Sequence, residues 1–177
     1  DLSKRLPHYG ASDIAEAAYT IGVRGAISAG GFHSLVLRSD GTAWAWGWND
    51  YGQLGTGNHD YSDVPVKVAD GPWKAVGAGS YHSLAVRSDG TLWAFGENYS
   101  GKLGTGAPVS SLALTPVQVG TAADWALASA REEFSAALKT DTAGGALWLW
   151  GANNTGQLGN GYTGSTSIAN NVCRNNG

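Results

Sequence analysis

The chain has 177 residues, a formal net charge of -3, and only 14% of its positions are Asp, Glu, Lys or Arg. That length suits one domain with a real core, and the mild acidity argues against a nucleic-acid binder, which normally presents a basic face. Gly, Trp, Ser, Thr and Asn dominate the polar and aromatic content, a mixture that predicts short strands joined by tight turns rather than a helical bundle.

In chain order, residues 1–22 come first. "DIAEAAY" there predicts a short helix, with Ser12 or Asp13 as N-cap and Glu16 in the first turn, serving as a cap or linker. Four strands follow, at 23–29, 33–39, 42–48 and 64–69. "SDGT" between the second and third places Asp-Gly at the centre of a two-residue hairpin turn. Leu35 and Leu37 point to one face of their strand and Val36 to the other, yet all are apolar. A strand apolar on both faces is covered on both faces.

The same unit then returns. "AGGFHSLVLRSDGTAWAWGWNDYGQLGTGN" begins at Ala29, and "AGSYHSLAVRSDGTLWAFGENYSGKLGTGA" begins 49 residues later at Ala78. A weaker third copy, "AREEFSAALKTDTAGGALWLWGANNTGQLGNGY", begins at Ala130 and carries a three-residue insertion in its turn. Residues 23–70, 71–120 and 121–177 therefore read as three units of four strands each. Four strands per period, apolar on both faces, fit propeller blades stacked side by side. In this reading Trp44, Trp93 and Trp148 fill the space between sheets. Leu54, Leu103 and Leu158 plug one apolar spot between glycines in each unit.

"HSLAVRSDGTLWAFGENYSGKLGTG" resembles the repeat of the regulator of chromosome condensation family, over roughly residues 23–172. The resemblance implies an all-β fold of four-stranded propeller blades. Members usually close seven blades into a ring, so three blades imply an incomplete arc. The third copy departs from the pattern: Arg131, Glu132, Glu133 and Phe134 stand where "GSYH" stands in the second. An open arc exposes the faces of its end blades. A longer propeller, several copies completing one another, or caps at the ends would each resolve that. Head-to-tail contact between copies builds rings or filaments.

Chemistry-bearing motifs are few. His33 and His82 recur at equivalent positions, and the third copy replaces them with Phe134, which favours a structural role over a ligand pair. His59, Asp60 and Asp63 lie close together but lack ordered ligand spacing, so a solvated loop is expected there and no metal site. There is no phosphate-binding loop, nucleophile elbow or zinc-protease motif, and no catalytic residue or cofactor is predicted. Asn98 and Asn153 meet the glycosylation pattern, although turn formation explains both. Cys173 cannot form an intrachain disulfide because it is the single cysteine. The absence of Met predicts a processed chain or a piece of a longer one.

The loops that vary between units carry His59, Tyr61, Leu112, Leu114 and Tyr162, side chains suited to protein contact. The expected function is a non-catalytic interaction or assembly module. Its expected setting is extracellular or cell-surface, and its partner is another protein or further copies of itself. Nucleotide exchange on a GTPase, or inhibition of an enzyme, are the alternatives that the resemblance implies. A hydrolase using His59 and its neighbouring acids is a third.

Overall fold

The computed structural model describes residues 26–140 and 145–171, and of 168–171 the backbone alone. Strands β1 (Ile27–Ala29), β2 (His33–Leu37), β3 (Ala43–Gly47) and β4 (Ser62–Lys67) form one antiparallel sheet in that order. A second holds β5 (Trp73–Ala78), β6 (His82–Arg87), β7 (Leu92–Glu97) and β8 (Leu112–Gln118). The third holds β9 (Trp125–Arg131), β10 (Phe134–Lys139), β11 (Ala146–Gly151) and β12 (Thr166–Asn171). A 3-10 turn at Tyr99–Gly101 is the only helical element among the described residues. The helix expected within 1–22, the inserted turn residues 141–144 and Cys173 lie outside the described residues.

The architecture is all-β: three four-stranded blades, side by side in an open arc. Each blade is an up-and-down meander, and the apolar runs explain why blades stack. On β6, His82, Leu84 and Val86 face the third blade, whereas Ser83 and Ala85 face the first, following the two-residue alternation of a strand. Leu84, Ala85 and Val86 are all fully buried, because the middle blade is covered on both sides. Phe95 on β7 lies against Gly55 of the first blade, and its equivalent Trp150 lies against Gly104 of the second. Burying a side chain such as Leu84 or Phe95 contributes roughly 1.5–3 kcal/mol.

Backbone hydrogen bonds stitch both seams at three matching places, with one acceptor shifted by a residue, since Gly79 aligns with Arg131 and the second seam uses Glu132. Gly31 N–H donates to the Gly79 carbonyl at 3.0 Å, and Ser80 N–H to Glu132 at 3.1 Å. At the opposite end of the blades Trp73 N–H donates to Gly41 at 2.7 Å, and Trp125 N–H to Gly90 at 3.0 Å. On the outer side Gly57 N–H reaches the Leu114 carbonyl at 2.9 Å, and Gly106 N–H reaches Ser167 at 3.2 Å.

The β2–β3 turn differs from the expected two-residue hairpin. Gly41 N–H donates to the Arg38 carbonyl and Arg38 N–H to the Thr42 carbonyl, so Ser39 and Asp40 are the central residues. Only Gly41 has positive φ, at 81°, which makes a type I turn followed by a glycine bulge. The Asp40 carboxylate explains the choice: it accepts from Thr42 N–H at 2.9 Å and Thr42 Oγ1 at 2.6 Å. Asp89 and Thr91 repeat both bonds. Those bonds, the threonine hydroxyl's first, hold both carboxyls below the usual Asp range.

Candidate protein-contact site

The recurrent histidines form a relay between blades. His33 Nε2 lies 2.7 Å from Ser83 Oγ, whose hydroxyl donates to the Gln53 carbonyl at 2.7 Å. His82 Nε2 lies 2.8 Å from Ser135 Oγ, which donates to the Lys102 carbonyl at 2.7 Å. Each serine has one proton and spends it on a carbonyl, so it accepts from the histidine, and Nε2 carries the hydrogen. Both imidazoles are buried. Burial lowers the pKa of His33 to about 4, partly offset by the Ser80 backbone, and holds His82 well below the usual value. A neutral, buried imidazole hydrogen-bonded across the seam ties one blade to the next. Glycine makes room for it: a Cβ at Gly79 would stand 2.2 Å from the His82 ring. In the third blade Arg131 replaces that glycine and Phe134 replaces the histidine, so pocket and occupant disappear together.

The repeated asparagines pin the long loops. Asn49, Asn98 and Asn153 are buried, and their Oδ1 atoms accept from the N–H of Leu54, Leu103 and Leu158 at 2.9, 3.0 and 2.9 Å. Their Nδ2 atoms donate to loop carbonyls, including Asp60 at 2.9 Å, Pro108 at 3.0 Å and Tyr162 at 2.7 Å. Leu54, Leu103 and Leu158 are buried beside them. With its amide consumed, neither Asn98 nor Asn153 offers an acceptor for sugar in the folded blade.

The tryptophans of the third strands sit under cations. Arg38 lies 5.8 Å from the Trp44 ring centre, Arg87 4.0 Å from Trp93, and Lys139 5.2 Å from Trp148. Trp93 and Trp148 also meet Trp73 and Trp125 edge-on.

The loop side chains divide. Tyr61, Leu112 and Tyr162 are exposed, the two tyrosines by about three-quarters. His59 is exposed, with Nδ1 at 2.6 Å from the Asp50 carbonyl. Leu114 is half-buried, and its backbone crowds Gly52 while its carbonyl accepts from Gly57, so it belongs to the seam between blades. Among the described residues no three His, Cys, Asp or Glu side chains converge as metal ligands.

Other exposed aromatics were not among the contact residues expected from the sequence. Phe32 stacks on Tyr81 at 4.9 Å, Tyr51 meets Tyr81 edge-on at 5.1 Å, and Trp48 and Tyr99 are exposed. Trp48 was expected inside a strand, but β3 ends at Gly47 and turns that ring outward. The signal available was its replacement by Glu97 and Ala152 in the other copies, which a core position would not tolerate. The Lys102 ammonium, fully buried, is held between Glu97 and Glu133.

These blades, with their repeated seam bonds, define a repeat protein of the β-propeller class. Regulator of chromosome condensation (RCC1) repeats match residues 40–86 and 89–138, and a second description of that repeat matches 26–53 and 73–102. The chain belongs to the RCC1 repeat family. The human E3 ubiquitin-protein ligase HERC2 is 44% identical over 43 residues, 24% of this chain and 1% of that protein. The X-linked retinitis pigmentosa GTPase regulator homolog of Caenorhabditis elegans is 46% identical over 44 residues, 24% of this chain and 3% of that one. Among solved structures, Prp20p of Saccharomyces cerevisiae, described with its binding to Gsp1p and histones, has a TM-score of 0.71 at 21% identity. It aligns with 83% of this chain, which spans 37% of it. Human WBSCR16 has a TM-score of 0.69 at 20% identity, over 84% of this chain and 38% of that one. The chain thus spans well under half of each relative.

Proposed function

We propose that this chain is a non-catalytic protein-binding module whose partner is met by the loops at the β1–β2 and β3–β4 end of the blades. One observation carries the reading. The buried histidines and asparagines are consumed in holding blades and loops, while Tyr61, Leu112 and Tyr162 on the varying loops stay exposed. Aromatic and aliphatic side chains on a rigid frame are what protein recognition uses. Relatives such as Prp20p, whose described binding is to proteins, support the class of partner.

The setting we propose is extracellular or at the cell surface, in keeping with a chain sparse in charge and rich in Asn, Ser, Thr and Gly. Self-association is the second part of the reading. Ile27 on the first blade and Leu127 and Leu147 on the third are exposed apolar side chains available to another copy. Such a contact would lack the relay, because Phe134 has no donor for Ser34 of the next copy.

Affinity capture from the source's own extracts, with the chain and with Tyr61→Ala, Leu112→Ala and Tyr162→Ala as baits, tests the first part. A partner lost from the variants supports it, and a partner retained by all three sinks it. Sedimentation tests the second: multiples of the chain mass are expected, and a strict monomer across concentrations removes self-association.

A further inference from the structure

The partner's chemistry can be read one step further, resting on the protein-binding reading above. Across the end of the blades runs a row of equivalent positions, each pair joined by an N–H to carbonyl bond of 2.9 Å. The row holds Phe32 with Trp48, then Tyr81 with Glu97, then Glu133 with Ala152. Phe32 and Trp48 are each about half exposed, and Phe32 is stacked on Tyr81 at an interplanar angle of 8°.

Charge at this end is one-sided. Asp50, Asp60, Asp63, Glu97, Glu132 and Glu133 all lie on its loops and strand ends. Against them stand Lys102, fully buried, and Arg131, 3.7 Å from Glu132. The opposite end is mixed, with Arg38, Arg87 and Lys139 set among Asp40, Asp89 and Asp124.

The molecule itself displays how a cation meets this row. The Lys102 ammonium is gripped by Glu97 and by Glu133 at 2.6 Å, and lies 5.9 Å from the Tyr81 ring centre. At the neighbouring seam Gln53 replaces Lys102, Trp48 replaces Glu97 and Tyr81 replaces Glu133. The fixed cation and the two carboxylates that grip it are gone there; rings stand in their place, with Asp50 and Asp60 on the loop that follows β3.

We infer that this end of the blades binds a basic, arginine-bearing segment of a protein partner, with a guanidinium laid on the Phe32 and Trp48 rings and neighbouring charge facing the carboxylates. Arginine suits the site better than lysine because its planar, weakly hydrated group stacks on aromatic faces. Nucleic acid and anionic lipid are repelled by the same carboxylates.

Fluorescence anisotropy with labelled peptides tests this. One neutral extended sequence carries arginine, lysine or glutamate at the same positions, and the full chain is titrated into each. The arginine peptide is expected to bind tightest and the glutamate peptide not at all, with affinity falling as NaCl rises from about 50 to about 200 mM. Trp48→Ala and Phe32→Ala are each expected to weaken binding about tenfold, and Lys67→Ala at the other end to leave it unchanged. Asp50→Lys, an exposed change that spares the rings, is expected to weaken it as well. Equal binding of the glutamate peptide, or arginine binding indifferent to Trp48→Ala and Asp50→Lys, overturns the inference. If no basic peptide binds while captured partners are still lost from Tyr61→Ala and Tyr162→Ala, the inference fails and the protein-binding reading stands.

Discussion

His33 and His82 show how a single residue type links burial, stability and pH. The folded pKa of His33 is lowered to about 4 by burial, against about 6.5 for the unfolded chain. Between those values the unfolded chain binds a proton that the folded one refuses, so stability rises with pH. The contribution is complete above about pH 6.5 and is lost as pH falls toward 4, a span on the order of 3 kcal/mol. His82, with no protein partner for its buried Nδ1, acts in the same direction. Urea midpoints measured across this range are expected to drop steeply on acidification, and a flat profile would contradict the burial. His82→Ala is expected to cost about 2–4 kcal/mol at neutral pH, from the cavity and the lost bond to Ser135. The loss of the histidine from the third copy, where Phe134 takes its place, was legible in the sequence. The histidines' serine partners were not, because pairing Ser83 with His33 requires knowing which face each strand residue presents.

At the scale of the element, the β3–β4 loops depend on one side chain each. Asn98 occupies the point where the loop leaves β7, and its amide bonds Leu103, Ala107, Pro108 and Ser111 together. Asn98→Ala leaves several buried groups without partners, so a loss of about 2–3 kcal/mol is expected. Hydrogen exchange at Leu103 N–H should accelerate more than at strand amides of β6; equal changes would mean that the loop is held by other contacts. The second to fourth strands of the first unit were readable from alternation and repetition to within a residue or two; the first, expected at 23–29, begins at Ile27, and residues 23–25 lie outside the described ones. The turn type was not, because "SDGT" suits both a two-residue turn and a three-residue turn with a bulge. The Asp40 bond to Thr42 decides between them, and it exists only once the backbone has turned.

Across the whole molecule, the two seams share a backbone plan and differ in side chains. Between the first and second blades the loop end is aromatic, with Phe32, Tyr51 and Tyr81. Between the second and third it is ionic, with Lys102 between Glu97 and Glu133. Removing the cation strands two carboxylates at the seam, so Lys102→Met is expected to cost about 3–5 kcal/mol. Changing Lys102, Glu97 and Glu133 together to Gln, Trp and Tyr copies the other seam, and most of that loss should return. Thermal unfolding of both variants checks this; an unrecovered triple variant would mean that the seams are not interchangeable. Lys102 itself drew no attention in the sequence, since a lysine at a loop position ordinarily reads as solvated.

The relay also gives the array a polarity. A blade gives a hydrogen bond from its histidine on one side and takes one with its serine on the other. The middle blade has both halves, His82 and Ser83, so tandem copies of residues 73–120 would keep the relay at every seam, while Lys102 would meet Tyr81 in place of Glu133. The third blade can only take. A blade placed after it would be held by backbone and apolar contacts alone, whereas one inserted ahead of it keeps the relay.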